Sequence, residues 1–280
     1  MGYGGYLDDQ YGTMVRHVKS GQLIMKLNDK TILITGASSG IGRSVAEQLG
    51  ALGNNLVITA RREEALNDVA ASIKNNGGHC LAIATDALDE QGAVIVVKAA
   101  VEHFGGIDVA LFNIGDGPSF NMATTTAAEV KQNMQVNYDS MVNYLVPVIQ
   151  QMKSQRHGVI AHTNSLAGFL GLPMQGPYSA AKAAGRILLD SCRIELETFN
   201  IKVVSLYPGF VATERVADDG IPAPFEISEK KAAQHMIRGI ESEKSDYLFP
   251  QSLKLLIRLA RVLPKPLLGS ILKRSIPDAY

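Results

Sequence analysis

The sequence is short of cysteine, and this scarcity limits its chemistry. Its 280 residues include only Cys80 and Cys192, which lie far apart and have no second cysteine or histidine at metal-ligand spacing. A disulfide framework and a structural zinc site are therefore excluded, and we predict no metal. The two thiols are interpreted as small core residues of a protein in a reducing compartment, the cytoplasm.

An excess of charge and a long apolar run are also missing. The 27 Lys and Arg residues balance 27 Asp and Glu residues, whereas a protein that grips nucleic acid needs a basic excess. No segment reaches the roughly 18 consecutive apolar residues of a membrane-spanning helix. We therefore expect neither nucleic-acid binding nor a transmembrane anchor.

What the sequence does contain is an alternation of short apolar runs with longer helical patterns. The predicted strands are Thr31–Thr35, Asn55–Ala60, His79–Thr85, Ile107–Phe112, Val159–Thr163, Ile201–Leu206 and Tyr247–Phe249. The predicted helices are one that carries Ile41, Val45, Leu49 and Leu52, followed by 62–76, 89–104, 126–153, 176–199 and 228–242. This alternation predicts an α/β fold in a single domain. It is a doubly wound, Rossmann-type parallel sheet of about seven strands with helices on both faces.

Two segments lie outside the predicted domain, which we place at residues 29–250. Residues 1–28 lack the basic-then-apolar order of a secretion signal and are predicted to be a flexible extension; added non-native residues or an upstream start before Met25 are the alternatives. Residues 251–280 are predicted to be a basic amphipathic tail.

A glycine-rich turn links the first predicted strand to the first helix. It runs Thr35-Gly36-Ala37-Ser38-Ser39-Gly40-Ile41-Gly42. Glycines let the backbone turn tightly and approach a pyrophosphate, and the first N–H groups of the helix bind its oxygens. The residues predicted to bind a dinucleotide here are Gly36, Ser38, Ser39, Gly40, Ile41 and Gly42. A capped loop before a helix is the simpler alternative.

The residues after the second strand indicate which dinucleotide is bound. An acidic side chain at this place accepts from a ribose 2′-OH, whereas Arg accommodates a 2′-phosphate. Here Thr59-Ala60 is followed by Arg61 and Arg62, with no acid at the strand end. We therefore expect NADP(H) rather than NAD(H), with Arg61 on the phosphate and Arg62 stacking on the adenine. Alternatively, both arginines only solvate the start of a helix.

Tyr178 and Lys182 lie four residues apart in a predicted helix, so their side chains share one face. A nearby cation favours the phenolate and lowers the pKa of tyrosine from about 10, which suits a phenol to proton transfer. Taken alone, this spacing is common on helix surfaces. The preceding residues give it weight.

Two polar residues precede this pair at informative places. Ser165 follows a predicted strand, at the sheet edge where ligands bind, and its hydroxyl is suited to bonding a substrate oxygen. Asn137 interrupts the apolar stripe of the predicted helix 126–153, so it is expected to be buried and hydrogen-bonded. A chain cap for Ser165 and a satisfied core amide for Asn137 are the simpler alternatives. Pro147 predicts a kink in the same helix.

Together these motifs resemble the short-chain dehydrogenase/reductase family, in its single-domain branch of ordinary length. The resemblance runs from about Lys30 to Tyr247 and includes a Tyr-Pro-Gly turn at 207–209. It implies hydride transfer between nicotinamide C4 and a carbinol or carbonyl carbon, carbonyl reduction being the expected direction. By the same resemblance, Tyr178 exchanges the proton, Lys182 lowers its pKa and holds the nicotinamide ribose, and Ser165 steadies the substrate oxygen. Asn137 completes the tetrad and holds a water of the proton relay.

The resemblance also assigns further cofactor contacts. Asp86, followed by Ala87, matches the residue that bonds the adenine amino group, and Asn113 and Gly115 match an Asn-Asn-Ala-Gly turn. The chain departs from that turn with a Phe before Asn113 and an Ile after it. The matches to the turn that supports the nicotinamide carboxamide are Pro208, Gly209, Val211 and Thr213.

The remaining expectations concern substrate and partners. Residues 214–228 occupy the place of the family's mobile lid, where two prolines argue against one continuous helix. The nearby apolar residues Leu166, Phe169, Leu170 and Leu172 favour a hydrophobic ketone, aldehyde or secondary alcohol, unless they are core. Family members pair through helices that correspond to 126–153 and 176–199, so a homodimer or homotetramer is expected. A dinucleotide-binding sensor or scaffold without turnover is the alternative function.

The tail allows two interpretations. One helical stripe comprises Leu253, Leu256, Ile257, Ala260 and Leu263, and a second comprises Lys254, Arg258, Arg261 and Lys265. A basic amphipathic helix at 251–274 would make peripheral contact with an anionic membrane. Packing on the domain's own core or on a second subunit is the alternative.

Overall fold

A computed structural model describes residues 17–19, 22–213, 225–273 and 276 of the chain. Residues 1–16 and 20–21 of the predicted N-terminal extension lie outside the described residues. So do residues 214–224 of the predicted lid, with Pro222 and Pro224, and Arg274 at the end of the predicted tail helix.

The strands occur where apolar and β-branched runs predict them, with ends moved by at most two residues. They are β1 (His17–Lys19), β2 (Gln22–Ile24), β3 (Thr31–Thr35), β4 (Asn55–Ala60), β5 (His79–Ala84), β6 (Val109–Phe112), β7 (Gly158–Thr163), β8 (Ile201–Pro208), β9 (Val211–Ala212), β10 (Ile227–Ser228) and β11 (Asp246–Phe249). The pairs β1–β2 and β9–β10 are short additions that the sequence did not predict.

The other strands form a seven-stranded parallel sheet in the order β11-β8-β7-β6-β3-β4-β5. The chain winds from β3 through β4 to β5 on one side and from β6 to β11 on the other. The predicted doubly wound fold is therefore confirmed. Its winding reverses between β3 and β6, and ligands of such sheets bind in the crevice beyond the carboxyl ends of the strands at this point.

Helices cover both faces of the sheet. They are α1 (Gly40–Gly50), α2 (Glu63–Asn75), α3 (Glu90–Phe104), α4 (Ala127–Met134), α5 (Ser140–Gln155), α6 (Gly176–Glu195), α7 (Glu229–Glu241), α8 (Gln251–Val262) and α9 (Lys265–Leu272). Alternate strand residues point to opposite faces. Accordingly, Ile32 and Ile34 pack with α1, α2 and α7, whereas Leu33 packs with α3, α5 and α6.

The predicted helix 126–153 is present, but it contains a π-helical turn that the sequence did not predict. Thr126 and Glu129 form a reciprocal capping box that starts α4, and a π-turn at Gln135–Asp139 then separates α4 from α5. Pro147, for which a kink was predicted, lies inside α5. The π-turn contains Asn137. The predicted helix 176–199 likewise ends at Glu195 and is followed by a short 3₁₀ turn.

Both ends of the described chain are attached to this body. Met25 and Leu27, which the sequence analysis assigned to the extension, are buried. The Met25 N–H donates to the Glu241 carbonyl at 3.0 Å, and Leu27 accepts from the Asn54 amide at 2.8 Å. At the other end, Leu253 of α8 is buried against the domain. In the described part of the chain, none of the helices has the length and apolarity needed to cross a membrane.

Candidate active site

The glycine-rich turn lies at the carboxyl end of β3, beside the point where the sheet reverses. Gly36 and Gly40 have φ angles of 68° and 58°, which favour glycine. A Cβ on Gly42 would overlap the Gly36 carbonyl oxygen, a backbone atom that cannot move aside cheaply. α1 begins here without a side-chain cap and without an acidic residue in its first turn. The turn therefore fits the pyrophosphate of a dinucleotide, since its helix N-terminus attracts anions.

An arginine reaches this turn, and it is Arg62. Its guanidinium donates to Ser39 Oγ at 2.8 Å and to Ser38 Oγ at 3.3 Å. Arg61, to which the sequence analysis assigned the phosphate, is exposed, as is Arg62. Arg62 is the N-cap residue of α2, and its side chain extends back to the turn that ends β3. The side chain predicted to stack on adenine thus adds positive charge to the phosphate turn.

The end of β6 joins the turn to the neighbouring strand. Asn113 donates from Nδ2 to the Gly36 carbonyl at 3.4 Å, and its Oδ1 accepts from Thr163 Oγ1 at 2.8 Å. Phe112, which replaces the expected Asn, is buried in the core. Ile114 packs against Gly36, where a Cβ would lie 3.0 Å from Ile114 Cγ1. Both departures from the family turn are therefore accommodated by apolar packing.

The predicted adenine-side residues follow β5. Asp86 is exposed, and its Oδ1 accepts from the Leu88 N–H at 3.0 Å. Ala87 is buried, and its carbonyl accepts from Asn143 Nδ2 at 2.9 Å. This turn is thus tied to α5.

The predicted nicotinamide-side residues follow β8. Val211 is buried and pairs with Ile227 across β9 and β10. Thr213 lies beside the phosphate turn, with its Cγ2 3.6 Å from the place of a Cβ on Gly40. Pro208 ends β8, and at Gly209 a Cβ would overlap a methyl group of Leu253, so this glycine is required by packing.

Lys182 brings a charge into the interior. Its side chain is 2% exposed, and its Nζ donates to the Thr163 carbonyl at 2.9 Å. Burial lowers the pKa of Lys182 to about 8. A Cβ on Gly115 would lie 2.9 Å from Lys182 Nζ and 3.0 Å from Asn137 Oδ1. Both polar groups therefore flank the backbone that follows Asn113.

Asn137 is fully buried, and the backbone around it satisfies its amide. Its Nδ2 donates to the Asp116 carbonyl at 2.7 Å and to the Asn133 carbonyl at 3.0 Å, and its Oδ1 accepts from the Asp116 N–H at 2.9 Å. The amide thus clamps the loop after β6 against the π-turn. Both of its N–H groups are used, and its oxygen has one lone pair left for a further donor.

Tyr178 is half-buried, with its ring centroid 5.6 Å from Lys182 Nζ. Burial raises the pKa of Tyr178, the charge of Asp116 raises it further, and hydrogen bonding by Ser165 opposes them. The lowering of this pKa by Lys182 together with bound nicotinamide stays a prediction. Ser165 starts a 3₁₀ turn at Leu166–Phe169 and accepts from the Ala167 N–H at 3.1 Å.

Two residues of the site were missed by sequence reasoning. Asp116, half-buried, acts on the pKa of Tyr178 and holds Asn137. Asn164 donates from Nδ2 to the Lys182 carbonyl at 3.0 Å, and its Oδ1 accepts from the Ser165 N–H at 2.8 Å. Their position in the sequence could have identified them, because each is a polar residue within a few places of a strand's carboxyl end.

The apolar residues near Ser165 have divided roles. Leu166 is buried in a small cluster with Tyr207 and Leu253, and Phe169 packs against it. The Phe169 ring also lies 5.2 Å from the guanidinium of Arg186. Leu170 and Leu172 are both half-buried and lie outside this cluster.

Comparisons with known proteins agree with this geometry. The family model described as short chain dehydrogenase matches residues 30–220. An uncharacterized oxidoreductase of Myxococcus xanthus is 30% identical over 249 residues, which cover 89% of this chain and 98% of the relative. An L-rhamnose 1-dehydrogenase (NAD(P)(+)) of Azotobacter vinelandii is 32% identical over 201 residues, or 70% and 78% of the two chains.

A solved structure shares the fold. It is a 7 alpha-hydroxysteroid dehydrogenase complexed with NADH and 7-oxo glycochenodeoxycholic acid, and it superposes with a TM-score of 0.73 at 22% identity. The superposition covers 80% of this chain and 94% of the other. At this identity the likeness concerns the fold alone.

Proposed function

Because the chain belongs to the short-chain dehydrogenase family of oxidoreductases, we propose that it uses NADP(H) to interconvert a hydrophobic carbonyl compound and its alcohol, with Tyr178 exchanging the proton. One observation carries this proposal. The segment after β6 touches both halves of the site, since Asn113 bonds Gly36 of the phosphate turn and Gly115 lies against Lys182. When bound, the nicotinamide supplies or accepts the hydride.

The chain's own residues divide the work of holding this cofactor. The turn Gly36–Gly42 would hold the pyrophosphate, and Arg62 with Ser38 and Ser39 would hold a ribose 2′-phosphate. The contact between Arg62 and the turn supports NADP(H), because it adds positive charge there and the first turn of α1 carries no acidic residue. Under this proposal the preceding residue, Arg61, makes a weaker second contact with the 2′-phosphate.

Tyr178 is the proposed proton donor in carbonyl reduction. Its raised pKa keeps the phenol protonated near neutral pH, which is the form a donor needs. Ser165 Oγ accepts from the Ala167 N–H and the Ser165 side chain also hydrogen-bonds Tyr178, so its hydroxyl lies beside the phenol, where we propose that it donates to the substrate oxygen.

Lys182 is the proposed charge that stabilises the phenolate after the proton has left. With a pKa of about 8 it is largely protonated at neutral pH. Asn137 is proposed to hold the relay water through the remaining lone pair of its Oδ1. The position of that atom and of Lys182 Nζ on either side of Gly115 supports this role.

A hydrophobic substrate is proposed from the residues beyond Ser165. Leu170 and Leu172 are half-buried and lie outside the small cluster formed by Leu166, Tyr207 and Leu253. Such side chains favour a carbonyl carried on an apolar body rather than a sugar.

A second subunit is proposed to pack on α5 and α6. Val146 of α5 and Ile187 and Ile194 of α6 are exposed large apolar side chains. Covering them in a homodimer or homotetramer would remove apolar surface from water.

The experiment that tests the proposed function uses Tyr178→Phe. NADPH oxidation is followed with carbonyl compounds graded from short and polar to long and apolar. The variant should lose at least about a thousandfold in turnover because the proton donor is gone, while NADPH binding stays within about threefold. Tyr247→Phe, at a half-buried tyrosine of β11, is the matched control and should retain activity. Turnover retained by Tyr178→Phe would reject the role. A wild-type protein that binds cofactor but reduces nothing in the panel would favour the sensor alternative.

A further inference from the structure

The helix α8 presents apolar side chains on two of its sides, and only one side is covered by the domain. Leu253 and Ile257 pack with Leu166, Tyr207 and Phe169, so that side belongs to the domain's own core. The packing alternative of the sequence analysis thus holds for Leu253 and Ile257, whereas Leu256 of the same predicted stripe is exposed. The packing of this side holds α8 on the domain. It does not explain the apolar residues on the other side of the helix.

The uncovered side carries a second apolar stripe that the sequence analysis did not identify. Leu255, Leu259 and Val262 follow one another at helical spacing and are 62%, 55% and 78% exposed. Leu267 and Ile271 of α9 are exposed beyond the intervening Pro264. Large apolar side chains grouped in this way on a surface mark an interaction site. We call Leu255, Leu259, Val262, Leu267 and Ile271 the outer stripe.

The charge around the outer stripe has one sign. The sequence has six basic residues on and after α8, and the five that the structure describes are Lys254, Arg258, Arg261, Lys265 and Lys273. No Asp or Glu occurs between Asp246 and Asp278 of the sequence. The whole chain has no net charge, so this end is a local concentration of positive charge. A partner that complements it must be anionic and must also accept exposed leucines.

We propose that α8 and α9 bind an anionic lipid surface, with the outer stripe inserted among the acyl chains and the basic residues on the headgroups. An apolar stripe flanked by Lys and Arg is the pattern of helices that lie in the membrane interface. An apolar subunit interface does not explain these positive charges, because the same stretch of sequence contains no acidic residue to pair with them. Nucleic-acid binding would explain the basic residues but not the exposed leucines.

The position of this surface in the fold gives the contact a consequence. Leu253 packs over Gly209 and Leu166, so α8 lies directly against the 3₁₀ turn that begins at Ser165. Arg261 reaches the same turn, with its guanidinium 5.0 Å from the Phe169 ring. A bilayer bound to α8 would therefore lie at the carboxyl edge of the sheet, where the candidate active site opens. Lipid binding itself needs no turnover, so its test is independent of the proposed function.

The test is co-sedimentation of the full chain with vesicles of phosphatidylcholine, with and without phosphatidylglycerol. The wild type should co-sediment with the anionic vesicles and should stay in the supernatant when the vesicles are neutral. It should dissociate from the anionic vesicles as the salt concentration is raised. Removing residues 251–280 is a poor variant because Leu253 is part of the core. Point variants of exposed residues keep the helix in place.

Two variants separate the apolar and the charged contributions. Leu255→Ser combined with Leu259→Ser and Val262→Ser should weaken binding by at least about tenfold, because it removes the inserted stripe. Arg258→Gln combined with Lys265→Gln should weaken binding to anionic vesicles by about fivefold per charge. Val94→Ser combined with Ile95→Ser, two exposed apolar residues of α3, is the matched control and should bind like the wild type. Circular dichroism melting checks that each variant is folded.

Several results would overturn the proposal. Absence of wild-type binding would do so, as would equal binding to neutral vesicles or undiminished binding by the triple serine variant. Sedimentation equilibrium tests the remaining possibility, that a second subunit covers the outer stripe. If the triple serine variant dissociates a wild-type oligomer that does not bind vesicles, the outer stripe is a subunit interface.

Discussion

The phosphate turn and the proton-transfer end of the site are built in different ways. The turn between β3 and α1 depends on backbone shape, with Gly36 and Gly40 at positive φ and Gly42 against a carbonyl oxygen. The other end depends on buried polar side chains, each bonded to a distant backbone group. Lys182 holds Thr163, and Asn137 holds Asp116.

Because of this difference, the two ends should tolerate different kinds of substitution. A backbone cradle fails when a side chain is added, because the added atoms occupy the place of the ligand or of the chain itself. A buried polar cluster fails when a side chain is removed, yet the removal also relieves a desolvation cost. The first end should therefore lose cofactor binding on substitution, and the second should lose turnover, with a gain in stability where the buried charge of Lys182 is removed.

The largest effect is expected for Lys182→Met, which should lower turnover by about a thousandfold or more. Burial holds the pKa of Lys182 at about 8, below its ordinary 10.5, so below pH 8 the folded chain carries a disfavoured charge. The variant should therefore be more stable at pH 7, by about 1–3 kcal/mol.

The sign of this effect gives its pH dependence. Between pH 8 and 10.5 the unfolded lysine binds a proton that the folded one has lost, so wild-type stability rises with pH. The advantage of the variant should shrink over that window in denaturant titrations. Lys202→Met, at an exposed residue of β8, is the control and should change little. A less stable Lys182→Met would contradict the desolvation argument.

Gly42→Ala should affect the other end. Its Cβ would overlap the Gly36 carbonyl oxygen, so the turn must move. We expect the Kd for NADPH to rise by at least about a hundredfold. Gly171→Ala serves as the control, because a Cβ there meets nothing within 4 Å. Unchanged NADPH binding by Gly42→Ala in a fluorescence titration would show that the turn is not the phosphate site.

Gly115→Ala tests the segment that touches both ends. Its Cβ would lie about 3 Å from Lys182 Nζ and Asn137 Oδ1, so both groups must shift slightly. Small misplacements of catalytic groups are costly, and we expect kcat to fall by about thirtyfold. A normal kcat with normal NADPH affinity would mean that neither group is sensitive to this placement.

The smallest effect concerns the choice of dinucleotide. Arg62→Gln should narrow the preference for NADPH over NADH by about tenfold, since one charge-assisted bond is worth about 1.5–3 kcal/mol. Arg61→Gln, the matched variant, should do less because Arg62 is the arginine that contacts Ser38 and Ser39. The reverse order would restore the assignment made from the sequence.

The sequence predicted the fold closely because strands and most helices have local signals. Buried parallel strands are continuous apolar runs, and the turn Gly36–Gly42 has a characteristic spacing. The π-turn at Gln135–Asp139 has no such signal. Its residues are compatible with a regular helix, and the fold selects the irregular form at the place where Asn137 meets the loop after β6.

The site was predicted in part, and the missing part depends on long-range contacts. Burial of Asn137 could be expected from its place on an apolar stripe, but its partner Asp116 could not. Arg61 and Arg62 are equivalent in sequence, and only the direction of the side chains distinguishes them. The raised pKa of Tyr178 reflects burial and Asp116, neither of which appears in a four-residue spacing.

The most direct test of the central claim is a titration of the purified protein with NADPH and NADH, followed by nicotinamide fluorescence. A dinucleotide site with Arg62 at its phosphate turn predicts tight NADPH binding and NADH binding weaker by at least about tenfold. Tighter NADH binding would contradict the role of Arg62. Binding of neither cofactor would contradict the assignment of the glycine-rich turn and, with it, the proposed function.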